Sequence, residues 1–143
     1  MISAALPRPI LLVEDNSVDL DLTLRAFAHH NLASPIQVAR DGQEALDCIP
    51  RWEAGETLPL VILLDLKLPR VDGLEVLRQL REHPVSRDLP IVVLTSSSEN
   101  RDVKEAYRLH ANSYIVKPVN FEKFVDVATQ IKLYWLLVNH PPL

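Results

Sequence analysis

Several side chains suited to phosphoryl chemistry stand just past short apolar runs. Glu14 and Asp15 follow Pro9-Ile10-Leu11-Leu12-Val13, and Asp65 follows Leu60-Val61-Ile62-Leu63-Leu64. Thr95 follows Pro90-Ile91-Val92-Val93-Leu94, and Lys117 follows Ser113-Tyr114-Ile115-Val116. A carboxylate can attack phosphorus and become an acyl phosphate. The transferred group then needs in-line positioning and positive charge on its equatorial oxygens. Glu14, Asp15 and Asp65 bring three negative charges and Lys117 one positive charge. Clustered carboxylates raise one another's pKa unless a cation neutralises them. One divalent ion brings the sum to zero, and an oxygen-only ligand set without His or Cys favours magnesium over zinc. Lys117 adds charge, Thr95 a hydrogen bond, and Asp65 is the expected nucleophile.

Those residues meet only if the runs before them are strands pointing the same way. The run before Asp65 is short, branched and flanked by Pro59 and Pro69, which predicts a strand buried on both faces. Strands are expected at 9–13, 36–39, 60–64, 90–94 and 113–116. Helices are expected at 17–30, 43–52, 73–82, 99–110 and 121–138. Asn16 is a suitable N-cap for the first helix, and Asp19 complements its dipole. Leu20, Leu24 and Phe27 form its apolar face, and Phe121, Phe124, Ala128, Ile131 and Trp135 that of the last helix. His29 and His30 suit the end of the first helix. As sequence neighbours they do not share a helix face, which argues against a metal pair. Five alternations of strand and helix predict an α/β fold: a doubly wound parallel sheet in the flavodoxin-like order 2-1-3-4-5, with ligands at the carboxyl ends of the strands.

Composition sets the outer bounds. A chain of 143 residues is one domain by size. It divides into an arm at 1–8, a domain at 9–138 and a tail at 139–143. A net charge of −4 gives no nucleic-acid footprint. Cys48 is the only cysteine, so no internal disulfide forms. No run reaches the ~18 apolar residues of a membrane span, and the start lacks a signal-peptide pattern. The expected location is cytoplasmic.

The motifs Leu12-Val13-Glu14-Asp15-Asn16, Leu64-Asp65-Leu66-Lys67-Leu68-Pro69, Asp72-Gly73, Leu94-Thr95-Ser96 and Tyr114-Ile115-Val116-Lys117-Pro118 occur in that order. Together they resemble the receiver domain of two-component response regulators, which has the CheY-like fold. The carboxyl end with Trp135 is similar to that of the single-domain regulators paired with cyanobacterial phytochrome kinases. The resemblance implies that Asp65 accepts a phosphoryl group from a sensor histidine kinase, a phytochrome among the candidates. It implies a magnesium ion held by Asp15, Asp65 and the backbone carbonyl of Lys67, with Glu14 acting through water. Lys117 would pair with the phosphoryl group, and the bond to Pro118 would be cis. Thr95 and Tyr114 would form the switch pair. Lys67 and Ser97 would line the path of attacking water. The protein would be a phosphoacceptor and not a turnover enzyme.

Output is expected through a phosphorylation-dependent change of the fourth helix, fifth strand and fifth helix. Leu133-Tyr134-Trp135-Leu136-Leu137-Val138 is too apolar for one helix face to bury, so a homodimer through this surface is expected, with Tyr107 and Leu137 as contacts. The alternative is a tail folded back as a local cap. Onward transfer to a histidine phosphotransfer protein stays open. Rival readings are weaker. An aspartyl phosphatase or dehalogenase wants an acid two residues after its nucleophile, where Lys67 stands. A flavodoxin-like flavin binder needs a phosphate-cradling loop after the first strand, where two acids stand. A degenerate receiver that only binds partners would not need the full set of side chains.

Overall fold

Along each central strand the side chains alternate between two cores. The computed structural model describes residues 8–29, 34–117 and 120–132. Its elements are β1 (Ile10–Val13), α1 (Ser17–His29), β2 (Ile36–Ala39), α2 (Gly42–Leu46), α3 (Cys48–Glu53), β3 (Val61–Leu64), α4 (Gly73–Glu82), β4 (Ile91–Thr95), α5 (Asn100–Arg108), β5 (Ser113–Val116) and α6 (Phe121–Ile131). Leu11, Val13, Ile62, Leu64, Ile91 and Val93 pack with α2, α3, α4 and α5 through Ala45, Ile49, Trp52, Val76, Leu77, Leu80 and Ala106. Ile10, Leu12, Val61, Leu63 and Val92 pack with α1 and α6 through Leu20, Phe27, Phe124, Ala128 and Ile131. A period of two along a strand sends successive residues to opposite faces. Both faces being covered, the strands are apolar throughout, as the sequence predicts.

The sheet order is β2-β1-β3-β4-β5, and every pairing is parallel. β1 pairs with both β2 and β3, so the chain reverses its direction of winding between β1 and β3. That switch point opens a crevice at the carboxyl ends of the strands.

One helix differs from expectation. The segment predicted as a single helix at 43–52 is two short helices, α2 and α3, with a turn at Asp47. Pro50 explains the break. It has no N–H to donate to the carbonyl of Leu46, and its ring crowds that carbonyl. Placed in the first turn of α3, it is tolerated. Phe121 also departs from expectation, being exposed at the start of α6. Leu24 is only half-buried, whereas Ala26 and Thr23 share the buried face of α1 with Leu20 and Phe27. Arg8, assigned to the arm, is fastened to the entry of β3 through the carbonyls of Leu58 (3.1 Å) and Pro59 (2.8 Å).

Two loops that flank the crevice are tied together. Asp41 caps α2 by accepting the Glu44 N–H (2.8 Å), and its other oxygen accepts from Arg70 (3.2 Å). α4 begins so close to the β3 exit that a Cβ on Gly73 would lie 2.3 Å from the Asp65 carbonyl oxygen. Only glycine permits that approach. Among the described residues no helix is long and apolar enough to cross a membrane. His30, the bond to Pro118, and the stretch 133–143 with Trp135 and Leu137 lie outside the described residues.

Candidate functional site

Three site residues hang from the last carbonyl of a neighbouring strand. Glu14 donates its N–H to Ala39 O (2.9 Å), Asp65 to Val13 O (3.1 Å) and Lys117 to Thr95 O (2.7 Å). The parallel ladder therefore continues one step past each strand and fixes where these side chains start. Asn16 then turns the chain into α1, its Oδ1 accepting the N–H groups of Val18 and Asp19 at 3.0 Å each.

Glu14, Asp15 and Asp65 each offer a carboxylate oxygen, and those oxygens lie within 4.8 Å of one another. Glu14 and Asp65 are buried, and Asp15 is exposed. Lys117 sits among them. Its Nζ is 2.6 Å from Glu14 Oε1, 2.8 Å from Asp19 Oδ2 and 2.9 Å from Asp65 Oδ2. The other Asp65 oxygen, Oδ1, accepts from Thr95 Oγ1 at 2.7 Å and from the Lys67 N–H at 3.3 Å. Tyr114 is half-buried on β5 and donates its hydroxyl to the Ser97 carbonyl at 2.7 Å.

Burial and charge act against each other here. Burial pushes Glu14 up to about 7, with the hydrogen bond from Lys117 opposing it and the Asp65 charge adding to it. Burial also opposes the Asp65 charge, but hydrogen bonds from Thr95 and Lys117 prevail and hold its carboxyl below the ordinary value. Burial alone would pull the Lys117 ammonium below its ordinary value. Hydrogen bonds to Asp19, Glu14 and Asp65 reverse that and keep it above its ordinary value. Burial likewise raises the Tyr114 phenol. The two carboxyls are therefore pushed apart: Asp65 is held toward its ionised form and Glu14 toward its protonated one.

The donor set fits a hard divalent cation. It consists of oxygens only, carries more negative charge than Lys117 neutralises, and leaves exposed Asp15 facing solvent. All five residues predicted from the strand ends, Glu14, Asp15, Asp65, Thr95 and Lys117, come together, and Tyr114 reaches the neighbouring loop. Asp19 was missed as a site residue. The sequence shows it as a first-turn acid of α1, a placement the helix dipole already explains. Asp102 was missed as well. It is buried in α5 and accepts from Ser97 Oγ.

Residues 10–129 match the family model of the response regulator receiver domain. A probable methanogenesis regulatory protein, FilR2 of Methanothrix harundinacea, is 44% identical over 95% of this chain and 88% of its own. Response regulator Rcp1 of Synechocystis sp. is 35% identical over 91% of this chain and 90% of its own. A solved Mn(2+)-bound form of Rcp1 superposes with a TM-score of 0.86 at 33% identity, covering 96% of this chain and 100% of the other. The phosphorylated cyanobacterial phytochrome response regulator RcpA superposes with a TM-score of 0.88 at 34% identity, covering 96% and 99%. With a sheet ordered 2-1-3-4-5, an acidic cluster at its rim and these relatives over nearly its whole length, the chain belongs to the response regulator receiver domains, which work by phosphorylation-dependent signalling.

Proposed function

We propose that Asp65 is the phosphoacceptor, charged by a sensor histidine kinase. The observation that carries this is the pairing of an ionised Asp65 with both Lys117 and Thr95, one on each oxygen. An Asp65 oxygen attacks the phosphorus of a phosphohistidine. A P–O bond forms, the P–N bond breaks, and the imidazole leaves with the electron pair. Lys117 transfers its pairing to a phosphoryl oxygen, and the Thr95 hydroxyl follows, which vacates the space that Tyr114 then fills. Asp15, Asp65 and the Lys67 carbonyl would hold magnesium, with Glu14 bound through water. Bound there, the ion supplies positive charge to the transferred oxygens. The protein is on this reading a phosphoacceptor and not a turnover enzyme, with residues 9–138 as its working unit. A phytochrome-type kinase is the favoured donor because RcpA is a phytochrome response regulator, and a histidine phosphotransfer protein is a candidate further acceptor. Acetyl phosphate with magnesium should add the mass of one phosphoryl group to the wild type and none to Asp65→Asn. Unchanged mass in the wild type, or an adduct on another residue, refutes the assignment.

Output is proposed to run through α5, β5 and α6. Tyr107, Val116 and Phe121 expose apolar surface on these three elements, which suits a homodimer contact. Sedimentation with and without phosphodonor tests it, and a monomer in both states at micromolar concentration rejects it.

A further inference from the structure

Asp102 is a buried carboxylate that the phosphoryl transfer above does not use. It stands in the first turn of α5, three residues past the N-cap Glu99. An acid there commonly serves its own helix by reaching back to the N-cap N–H. In this chain that N–H goes to Ser97 Oγ instead, at 3.4 Å. The Asp102 carboxylate accepts the Ser97 hydroxyl at 2.5 Å and faces the Lys67 ammonium at 3.8 Å. Burying a carboxylate is unfavourable unless it is paired and hydrogen-bonded, and both partners here come from the loops beside Asp65. Lys67 is two residues past Asp65. Ser97 is two past Thr95, whose Oγ1 is 2.7 Å from Asp65 Oδ1. Asp102 therefore bridges the β3 exit to the β4 exit across the phosphoacceptor.

We propose that Asp102 is a positioning residue that slows hydrolysis of the Asp65 acyl phosphate by holding Lys67 and Ser97 across the mouth of the site. The inference rests on Asp65 being the phosphoacceptor. In that hydrolysis a water oxygen bonds to phosphorus opposite the Asp65 oxygen. The P–O bond to Asp65 breaks, Asp65 keeps the electron pair as a carboxylate, and inorganic phosphate departs with both hydrogens of the water. On this proposal the water approaches between the two loops that carry Lys67 and Ser97. Side chains pinned to one shared carboxylate stay in that path, whereas a free lysine stem and a free hydroxyl leave it open part of the time.

The test loads wild type and Asp102→Asn with acetyl phosphate and magnesium, removes the donor, and follows loss of phosphoryl mass from the intact protein. Asp102→Asn is expected to lose the group roughly three- to tenfold faster, what one ordinary hydrogen bond is worth in a rate. Asp102→Glu, which keeps the carboxylate, should decay closer to wild type than to Asp102→Asn. Ser97→Ala added to Asp102→Asn should change the rate little further, because the two share one interaction. Lys67→Ala removes an exposed partner without touching the core and should also decay faster, so a misfolded Asp102 variant does not decide the question. Decay at the wild-type rate or slower in both Asp102→Asn and Lys67→Ala overturns this inference alone. A wild-type protein that never gains phosphoryl mass overturns both it and the Asp65 assignment.

Discussion

Two half-hidden cations sit at opposite rims of the sheet, and they are satisfied in different ways. At the carboxyl rim, Lys117 faces three carboxylates, Glu14, Asp19 and Asp65. At the amino rim, Arg81 from α4 donates to the carbonyls of His110 (2.9 and 3.1 Å), Arg87 (2.9 Å) and Leu89 (2.7 Å) and to Asn112 Oδ1 (2.9 Å). The Arg81 partners are neutral dipoles fixed by the backbone, and burial pulls its guanidinium below the ordinary value. The Lys117 partners are charges in excess, and they hold the ammonium above its ordinary value against burial. A cation whose acceptors are matched one to one holds loops together. A cation with surplus anionic acceptors can exchange one of them for a phosphoryl oxygen.

The largest expected effect is therefore at the structural rim. Arg81→Ala strands carbonyls at the entries to β4 and β5, and should cost about 3 kcal/mol of stability. Urea denaturation measures that. The variant that still folds should take up phosphoryl mass from acetyl phosphate as the wild type does. Lys117→Met should do the reverse. It leaves stability within about 1 kcal/mol, because removing the cation is offset when Glu14 binds a proton. It should slow phosphoryl uptake by roughly ten- to a hundredfold, the worth of one charge-assisted contact made in the transition state. A large stability loss in Lys117→Met with normal uptake would invert the comparison.

The pH dependence of stability separates the rims further. Burial raises Glu14 from 4.5 to about 7. The folded state then binds a proton more tightly than the unfolded state does. The stabilisation from that proton is complete below pH 4.5 and is lost as pH rises through about 7. Asp65 is held below its ordinary value, so its contribution falls away only in more acid solution. Lys117 is raised, so its contribution is complete across this range and is lost only in strongly alkaline solution. Between these limits, the metal-free protein should lose a few kcal/mol at most on going from pH 5 to pH 8. Glu14→Gln should flatten that slope, and magnesium should reduce it by stabilising the ionised carboxylate. An equal slope in Glu14→Gln would remove Glu14 as its source.

The carboxyl rim was readable in the sequence because its chemistry follows directly from strand ends. Apolar runs fix the strands, parallel winding brings their ends to one edge, and Glu14, Asp15, Asp65, Thr95 and Lys117 are the next residues along. Asp19 and Asp102 were not readable in the same way. Each stands in a helix, where an acid in the first turn already has a local explanation in the dipole, so nothing marked it as reaching across to a loop. The division of the second helix was legible in principle, since Pro50 forbids a continuous hydrogen-bond ladder. The amino rim had no signal at all. Arg81 looks like any basic residue in the last turn of a helix, and its partners apart from Asn112 are backbone carbonyls that carry no sequence identity.

The smallest effect gives the sharpest version of the contrast, because the two rims offer a matched pair of deletions. Asn112→Ala takes one side-chain acceptor from Arg81, and Asp19→Asn replaces one charged acceptor of Lys117 by a neutral one. Asn112 Oδ1 also receives the Ile91 N–H at 2.8 Å, so its loss removes an acceptor from two donors at once. That should cost about 1–2 kcal/mol in urea denaturation. Lys117 keeps Glu14 and Asp65 after Asp19→Asn, and the three carboxylates around one ammonium lose a repelling charge. The change should stay within about 0.5 kcal/mol and can fall on the stabilising side. If Asp19→Asn costs as much as Asn112→Ala, the acceptors around Lys117 are not in surplus. The ammonium would then be as firmly committed as the Arg81 guanidinium, and exchange of one carboxylate for a phosphoryl oxygen would lose its physical basis.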